Sequence, residues 1–463
     1  MPSSNLFVGT FVHTTHLGHL EVLHDHIVAV DELGFIEDVC VADSLTGASY
    51  LARPEATITS LPQGSFLLPT FCDLHLHAPQ YLYLGTGLHL PLMEWLNAYA
   101  FKAEEQLDQD PNGLARMVYT RLAERLIRAG TGAALLFGTI KEETNLILAD
   151  AFQNAGLRGF IGKLSMDKST RPSYVEASTE SSLTSAASFI HRCEGLTAHL
   201  PKHQQLVEPV ITPRFVPTCT DELLSGLGQL SADLNVKVQS HLAEARDQVD
   251  WVKSERGVDD IEVFDRSNLL TSRTIQAHCT FLDSPSLDRL KFAGTAVAHC
   301  PLSNVYFSSL PFPLREALDI GVGVGLGSDV AGGYTVDIST AMRQAVITSR
   351  IRDSARKEAT RQPSHGASSS ETGSLAIDWK EALYLATKGG AEALGLKTGQ
   401  FVRGAPFDAQ QINLVDPKSG KGLGQLDFFG TVDRVTIEFL EKWWCLGDPS
   451  NRSAVWIQGK KVL

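Results

Sequence analysis

From residue 67 onward, short runs rich in Val, Ile, Leu and Ala alternate with longer amphipathic segments, which points to repeated β/α units around a parallel sheet. Eight runs read as strands: "FLLPTFCDL" near 66–74, "GAALLFGT" 132–139, "RGFIGKL" 158–164, "EPVITPRF" 208–215, "VKVQSHL" 236–242, "TIQAHC" 274–279, "TAVAHC" 295–300 and "GVGVGLGSD" 321–329. Eight units suggest a (β/α)8 TIM barrel; a doubly wound sheet alternates in the same way, so the count alone leaves both open. Between the runs lie helices such as "GLARMVYTRLAERLIRAG" (113–130), whose apolar residues recur at three and four spacings and which stops at Gly130, and "WKEALYLATKGGAEALGL" (379–396). Before residue 67 the chain reads as short strands broken by turns, with a hairpin around Glu32, Leu33 and Gly34 and no helix of any length. After about residue 399 it returns to short strands ending in "AVWIQGKKVL". The expected fold class is therefore α/β: a (β/α)8 TIM barrel over 67–398, beside a small β-sandwich domain formed by the N-terminal segment 1–66 and the C-terminal segment 399–463. The polar stretch 352–374 is too poor in apolar residues to offset its ordering entropy and reads as a mobile surface loop.

Composition removes several classes of function. A formal net charge of −13 and the lack of any Lys/Arg-rich run argue against nucleic-acid partners. No apolar run approaches the roughly 18 residues of a membrane span, and the start lacks a signal-peptide pattern, so a cytoplasmic protein without membrane contact is expected. The seven cysteines are scattered, odd in number and never spaced CxxC, which disfavours both a disulfide framework and a cysteine zinc site.

The chemistry starts at "TFCDLHLHAPQY" (70–81). Side chains two apart on a strand share a face, so His75 and His77 can offer both imidazoles to one ion, although such a pair is common in ordinary strands. Four other predicted strands end in a polar group: His241, His278, His299 and Asp329. In a barrel all strand C-termini open on one face, so these groups would converge there. Three imidazoles plus a carboxylate suit zinc with a position open for water, which makes a hydrolytic metal centre the expectation.

Together, "HAPQY", "LPLMEWLNAYAF", "ITPRFVPTC", "SHLAE", "AHCPLSN" and "GLGSDVAGGY" resemble, in order, the motifs of the amidohydrolase superfamily, and within it the branch that deaminates guanine. The resemblance is close over about 67–347 and looser in the flanking β segments. It departs where Thr70 and Lys102 stand in place of the usual Gly and Pro, and at the polar stretch 352–374, which looks like an insertion. It implies one zinc ion per chain held by His75, His77, His241 and Asp329, with Asp329 also accepting a proton from water. It further implies that His278 holds that water or stabilises the oxygen after attack, and that Glu244 protonates N3 of guanine as C2 is attacked. Gln80, Arg214 and Phe215, together with His241 and Glu244, would bind the purine. The implied reaction, a step of purine breakdown, gives xanthine and ammonia without an organic cofactor, and the implied assembly is a homodimer. Leu92 and Trp95 are candidate pocket residues that a buried helix face explains equally well.

Other histidines and one lysine are set apart from the site. His13, His16, His19, His24 and His26 crowd the N-terminal segment without a recognisable acidic partner set. His299 is expected to support the site or to be structural. Lys163 invites a two-metal reading, but in binuclear relatives that lysine follows the fourth strand, where Arg214 stands here. Two alternatives keep the scaffold: hydrolysis of adenine, cytosine or a chlorinated triazine on the same metal, or a metal-free scaffold that only binds partners. The separate deaminase fold built on H-x-E and P-C-x-x-C is excluded, because no CxxC exists.

Overall fold

The computed structural model describes residues 5–308, 310–361 and 373–463. Eight parallel strands follow one another around a nearly closed sheet: β1 (Phe71–His77), β2 (Thr131–Phe137), β3 (Arg158–Ser165), β4 (Val207–Pro213), β5 (Lys237–Leu242), β6 (Thr274–His278), β7 (Ala296–His299) and β8 (Val324–Leu326). The gap between β8 and β1 is bridged at the C-terminal end, where the Asp329 N–H donates to the His75 carbonyl and the His77 N–H to the Val330 carbonyl, both at 2.8 Å. Deeper in the same seam, the buried Asp73 carboxylate accepts from the Ser328 hydroxyl at 2.5 Å and from its backbone N–H at 3.0 Å. A doubly wound sheet would leave two open edges, so this closure selects the barrel.

The first expected strand, 66–74, is two strands in two sheets. Ser65–Pro69 pairs antiparallel with Ala409–Asn413, whereas β1 begins at Phe71 and pairs with β2. The backbone shows the handover: Thr70 N–H donates to Asp408 and Phe71 N–H to Gly130, while Pro69 has no N–H to extend either ladder. Burial of every residue from Ser65 to His77 hid the switch from periodicity, since a strand buried on both faces has no alternation.

Both chain ends form a second, mixed sheet in the order Lys460–Lys461, Arg452–Ile457, Ala409–Asn413, Ser65–Pro69, Asn5–His16, His19–Val30, Ile36–Val41, with Thr57–Ser60 beside Asn5–His16. The expected hairpin at Gly34 joins two of these strands. Phe7 stacks on Phe407 at 4.3 Å and meets the Trp456 edge at 5.2 Å, so aromatics from opposite ends of the chain share one core. Arg158 of β3 ties the two sheets together through a two-pronged ion pair with Asp408 at 2.7 and 3.0 Å.

Three local expectations need correction. The N-terminal segment does contain a helix, Leu45–Leu51, started by Ser44, whose hydroxyl caps the Gly47 N–H. The strand-rich tail contains the helix Ile437–Leu446, capped by Thr436; Leu440, Trp443 and Trp444 on its buried side show helical spacing. The helix Ile338–Arg361 runs through the first part of the stretch read as a loop, fixed by Arg352 paired twice with Glu316 at 2.6 and 2.9 Å. The remaining part, 362–372, lies outside the described residues. The expected helix 113–130 appears as Arg116–Arg128 after a π-helical turn at Pro111–Ala115. All seven cysteines are free thiols.

Candidate active site

The C-terminal ends of β1, β5, β6 and β8, with the loop after β5, bring together six side chains singled out in the sequence. His75 and His77 face one side of β1, while Leu76 between them packs outward with Val118, Leu122 and Leu136. His77 Nε2 and His241 Nε2 stand 3.0 Å apart, and His75 Nε2 and His77 Nε2 lie 3.2 and 3.8 Å from Asp329 Oδ1. His278 Nε2 is 3.7 Å from Glu244 Oε2 and 3.9 Å from Asp329 Oδ2. The chain turns into this centre with left-handed backbone at Ala243, His278, Cys279 and Asp329, residues other than Gly in a region that costs energy and collects at functional sites.

The donor set fits a metal cation. His75, His77 and His241 place one ring nitrogen each within 4.8 Å of one another, and all three are buried. His241 Nδ1 donates to the Arg214 carbonyl at 2.6 Å, which leaves Nε2 with a free lone pair. His75 Nε2 is buried with no hydrogen-bond partner even though Asp329 is 3.2 Å away, as expected when both aim at a common third point. Burial first, then the charges of neighbouring rings, holds His75, His77 and His241 well below the ordinary imidazole range, so they are neutral and able to ligate.

His278 donates from Nδ1 to Asn304 Oδ1 at 2.9 Å, so its Nε2, buried and unpartnered, is an acceptor pointed at the carboxylates. Asn304 stands in the motif "AHCPLSN" but was not singled out in the sequence; its role needs the helix Pro301–Phe307 to fold back over β6. Glu244 is buried, and desolvation followed by the nearby charges of Asp329 and Asp247 pushes its carboxyl well above the usual range. Asp329 is also raised by burial. Of the pair, Glu244 is the carboxyl whose protonated form burial favours more strongly.

Beside this centre is a slot lined by the polar residues His77, Gln80, Arg214, His241, Glu244 and Asp329 and by the apolar residues Leu92, Trp95, Leu96, Phe215 and Phe307. Trp95 and Leu96 sit where the helix Leu92–Trp95 passes into a π-helical turn, Leu96–Ala100. Gln80 and Arg214 are both buried and meet on one residue that sequence reasoning missed: Glu104 accepts from Gln80 Nε2 at 2.9 Å and from Arg214 NH1 at 2.6 Å.

The residues set apart stay apart. Lys163 is buried against Glu176 at 2.6 Å, a pairing that leaves it no metal role. His299 packs 5.2 Å from Phe312, and burial pushes its pKa down to about 3. Among the described residues no metal-capable group includes the N-terminal histidines, although His13 does have an acidic neighbour, Glu21, at 3.1 Å.

Residues 66–462 match the model of the Amidohydrolase family. The chain is 35% identical to guanine deaminase of Mus musculus over 470 aligned residues, covering 100% of this chain and 97% of that protein. A solved structure of guanine deaminase from C. acetobutylicum with bound guanine in the active site superposes with a TM-score of 0.84 at 29% identity, over 99% of this chain and 100% of that one. An adenosine deaminase from Xanthomonas campestris with bound zinc has a TM-score of 0.77 at 22% identity, over 99% and 92% of the two chains, a likeness of fold.

Proposed function

Since the chain belongs to the amidohydrolase family of metal-dependent hydrolases, we propose that it deaminates guanine by hydrolysis, giving xanthine and ammonia. His75, His77, His241 and Asp329 would hold one zinc ion, which would lower the pKa of a water towards neutrality. The Asp329 carboxylate takes a proton from the attacking water. His278 Nε2, left an acceptor by the bond from Nδ1 to Asn304, orients that water rather than donating to the oxygen after attack. Glu244, protonated because it is buried beside Asp329, gives its proton to N3 of guanine, so negative charge does not build up on the ring as C2 is attacked. Arg214 NH2, a buried donor without a partner, is available to O6, and Phe215 forms part of the wall against the ring.

One observation carries this reading: Gln80 and Arg214, which suit a purine edge, line the same slot as His77 and His241 of the metal-capable set. It is tested by incubating purified, metal-analysed protein with guanine, adenine, cytosine and a chlorinated triazine, following ammonia release and ultraviolet spectra. Xanthine formation with about one zinc per chain, abolished by chelation and restored by zinc, is the expected result. No turnover of guanine by metal-loaded protein sinks the substrate assignment, and preferred turnover of another heterocycle replaces it. The homodimer implied by the resemblance is tested by size-exclusion with light scattering.

A further inference from the structure

Behind the slot, the helix Phe101–Gln109 aims one fully buried carboxylate, Glu104, at two of the residues that line it. Oε1 accepts from Gln80 Nε2 at 2.9 Å and Oε2 accepts from Arg214 NH1 at 2.6 Å. Gln80 is held at its other end as well, because its Oε1 accepts the Ala331 N–H at 3.3 Å, so the amide cannot turn over. The Arg214 guanidinium lies 4.7 Å from the centre of the Phe101 ring, one helical turn from Glu104. Helix Phe101–Gln109 thus fixes Arg214 by its charge and by its flat face, and one donor, NH2, is left buried and unmatched.

Chemistry restricts what can stand at 104. Both partners present donors, so the bridging group must accept at two atoms. A carboxylate does this; a glutamine amide offers one acceptor and one donor, and its NH2 would face either the Gln80 NH2 or the Arg214 NH1. The carboxylate also supplies the negative charge that a buried guanidinium requires.

We infer that Glu104 is a positioning residue that sets substrate choice: by bracing Gln80 and Arg214 it fixes a donor-rich edge that accepts a base with an oxygen at ring position 6 and rejects one without it. The inference rests on the proposed guanine deamination, in which O6 meets Arg214. Glu104 touches neither the reacting carbon nor the histidine cluster, so its loss acts on binding rather than on chemistry.

The test compares hypoxanthine, which carries the oxygen and lacks the amino group to be removed, with purine, which lacks both. Their affinities for the zinc-loaded full-length wild type and Glu104→Gln are measured by calorimetry, beside guanine kinetics, zinc content and thermal melting. Wild type binds hypoxanthine more tightly than purine. E104Q weakens hypoxanthine by roughly 10- to 100-fold, the range for a buried polar group left mismatched, weakens purine by much less, and leaves zinc content unchanged. In guanine turnover the loss falls on KM more than on kcat. Glu104→Asp, with two acceptor oxygens on a stem shorter by one methylene, shows a smaller loss of the same kind and carries the comparison if E104Q does not fold. A residue that only supports the fold would lower the melting temperature and weaken both ligands alike. An unchanged preference for hypoxanthine, or an equal loss for the two ligands, overturns the role of Glu104; absence of guanine turnover by wild type overturns the proposed function instead.

Discussion

Gly332 lines the slot, and a methyl group placed on it tests whether the position of the Asp329 carboxylate governs activity. A Cβ at 332 would lie 2.7 Å from Asp329 Oδ2, 3.1 Å from Ser303 Oγ and 3.2 Å from Phe307 Cε2. Ordinary contact begins at 3.4 Å, so Oδ2 must retreat by about 3.4 − 2.7 = 0.7 Å. Because the obstructing atom is the tip of a side chain rather than backbone, Gly332→Ala costs the fold little, on the order of 1 kcal/mol. The cost to the site is larger. The carboxylate stands 3.2 Å from His75 Nε2 through Oδ1 and 3.9 Å from His278 Nε2 through Oδ2, and turning it changes both spacings. Metal ligation tolerates about 0.2 Å and a misplacement of about 1 Å can cost a hundredfold, so kcat/KM is expected to fall roughly 10- to 100-fold. Guanine kinetics, zinc content and thermal melting of G332A are measured beside Gly195→Ala, which adds a methyl group to open space on an exposed helix. Full activity with full zinc occupancy in G332A would refute the assignment of Asp329 to the reacting centre.

Glu244→Gln removes the carboxyl proposed to protonate N3; kcat should drop by about 10²- to 10⁴-fold with zinc content unchanged, and undiminished turnover excludes the acid role. Asp408→Ala leaves the buried Arg158 charge uncompensated between the two sheets, with the neutral Gln458 Oε1 at 2.8 Å still accepting from it, and should cost about 3–5 kcal/mol in urea unfolding; a loss near zero would show that the pair does not tie the sheets together. Asp260 accepts from the Ala243 N–H and from Gln248 through Oδ2, while Oδ1 is buried without a partner, and burial raises its pKa to about 7. Its unfolded value is lower, so between about pH 4 and pH 7 the unfolded chain binds fewer protons and this group's contribution to stability falls as pH rises, by up to about 1.4 kcal/mol per unit. Asp260→Asn should abolish that slope, so the variant gains on wild type as pH climbs through this window; parallel stability profiles would count against it.

How much of the site was legible follows from the reach of each signal. His75 and His77 share a face because a strand repeats every two residues, a rule that needs no tertiary contact. His241, His278 and Asp329 could be grouped because parallel strands in a barrel all end on one side. Glu104 could not be found this way: on an amphipathic helix a glutamate reads as solvated, and only the packing of that helix against the loops after β1 and β4 turns it inward onto Gln80 and Arg214. Asp73 was hidden for a similar reason, since its partner Ser328 lies at the far end of the barrel sequence.

Local periodicity, the order of the strand-end residues and the motif resemblance were thus enough to give the α/β class, the barrel and the histidine–carboxylate set. Tertiary structure alone decided the rest: the sheet change at Pro69–Thr70, the closure of β1 onto β8, the tautomer of His278 set by Asn304, and the brace through Glu104. Each of these is a hydrogen bond between residues distant in sequence, or a switch inside a uniformly buried run. Neither leaves a periodic trace along the chain, because a side chain's partner is fixed by how whole elements pack and not by its neighbours in sequence.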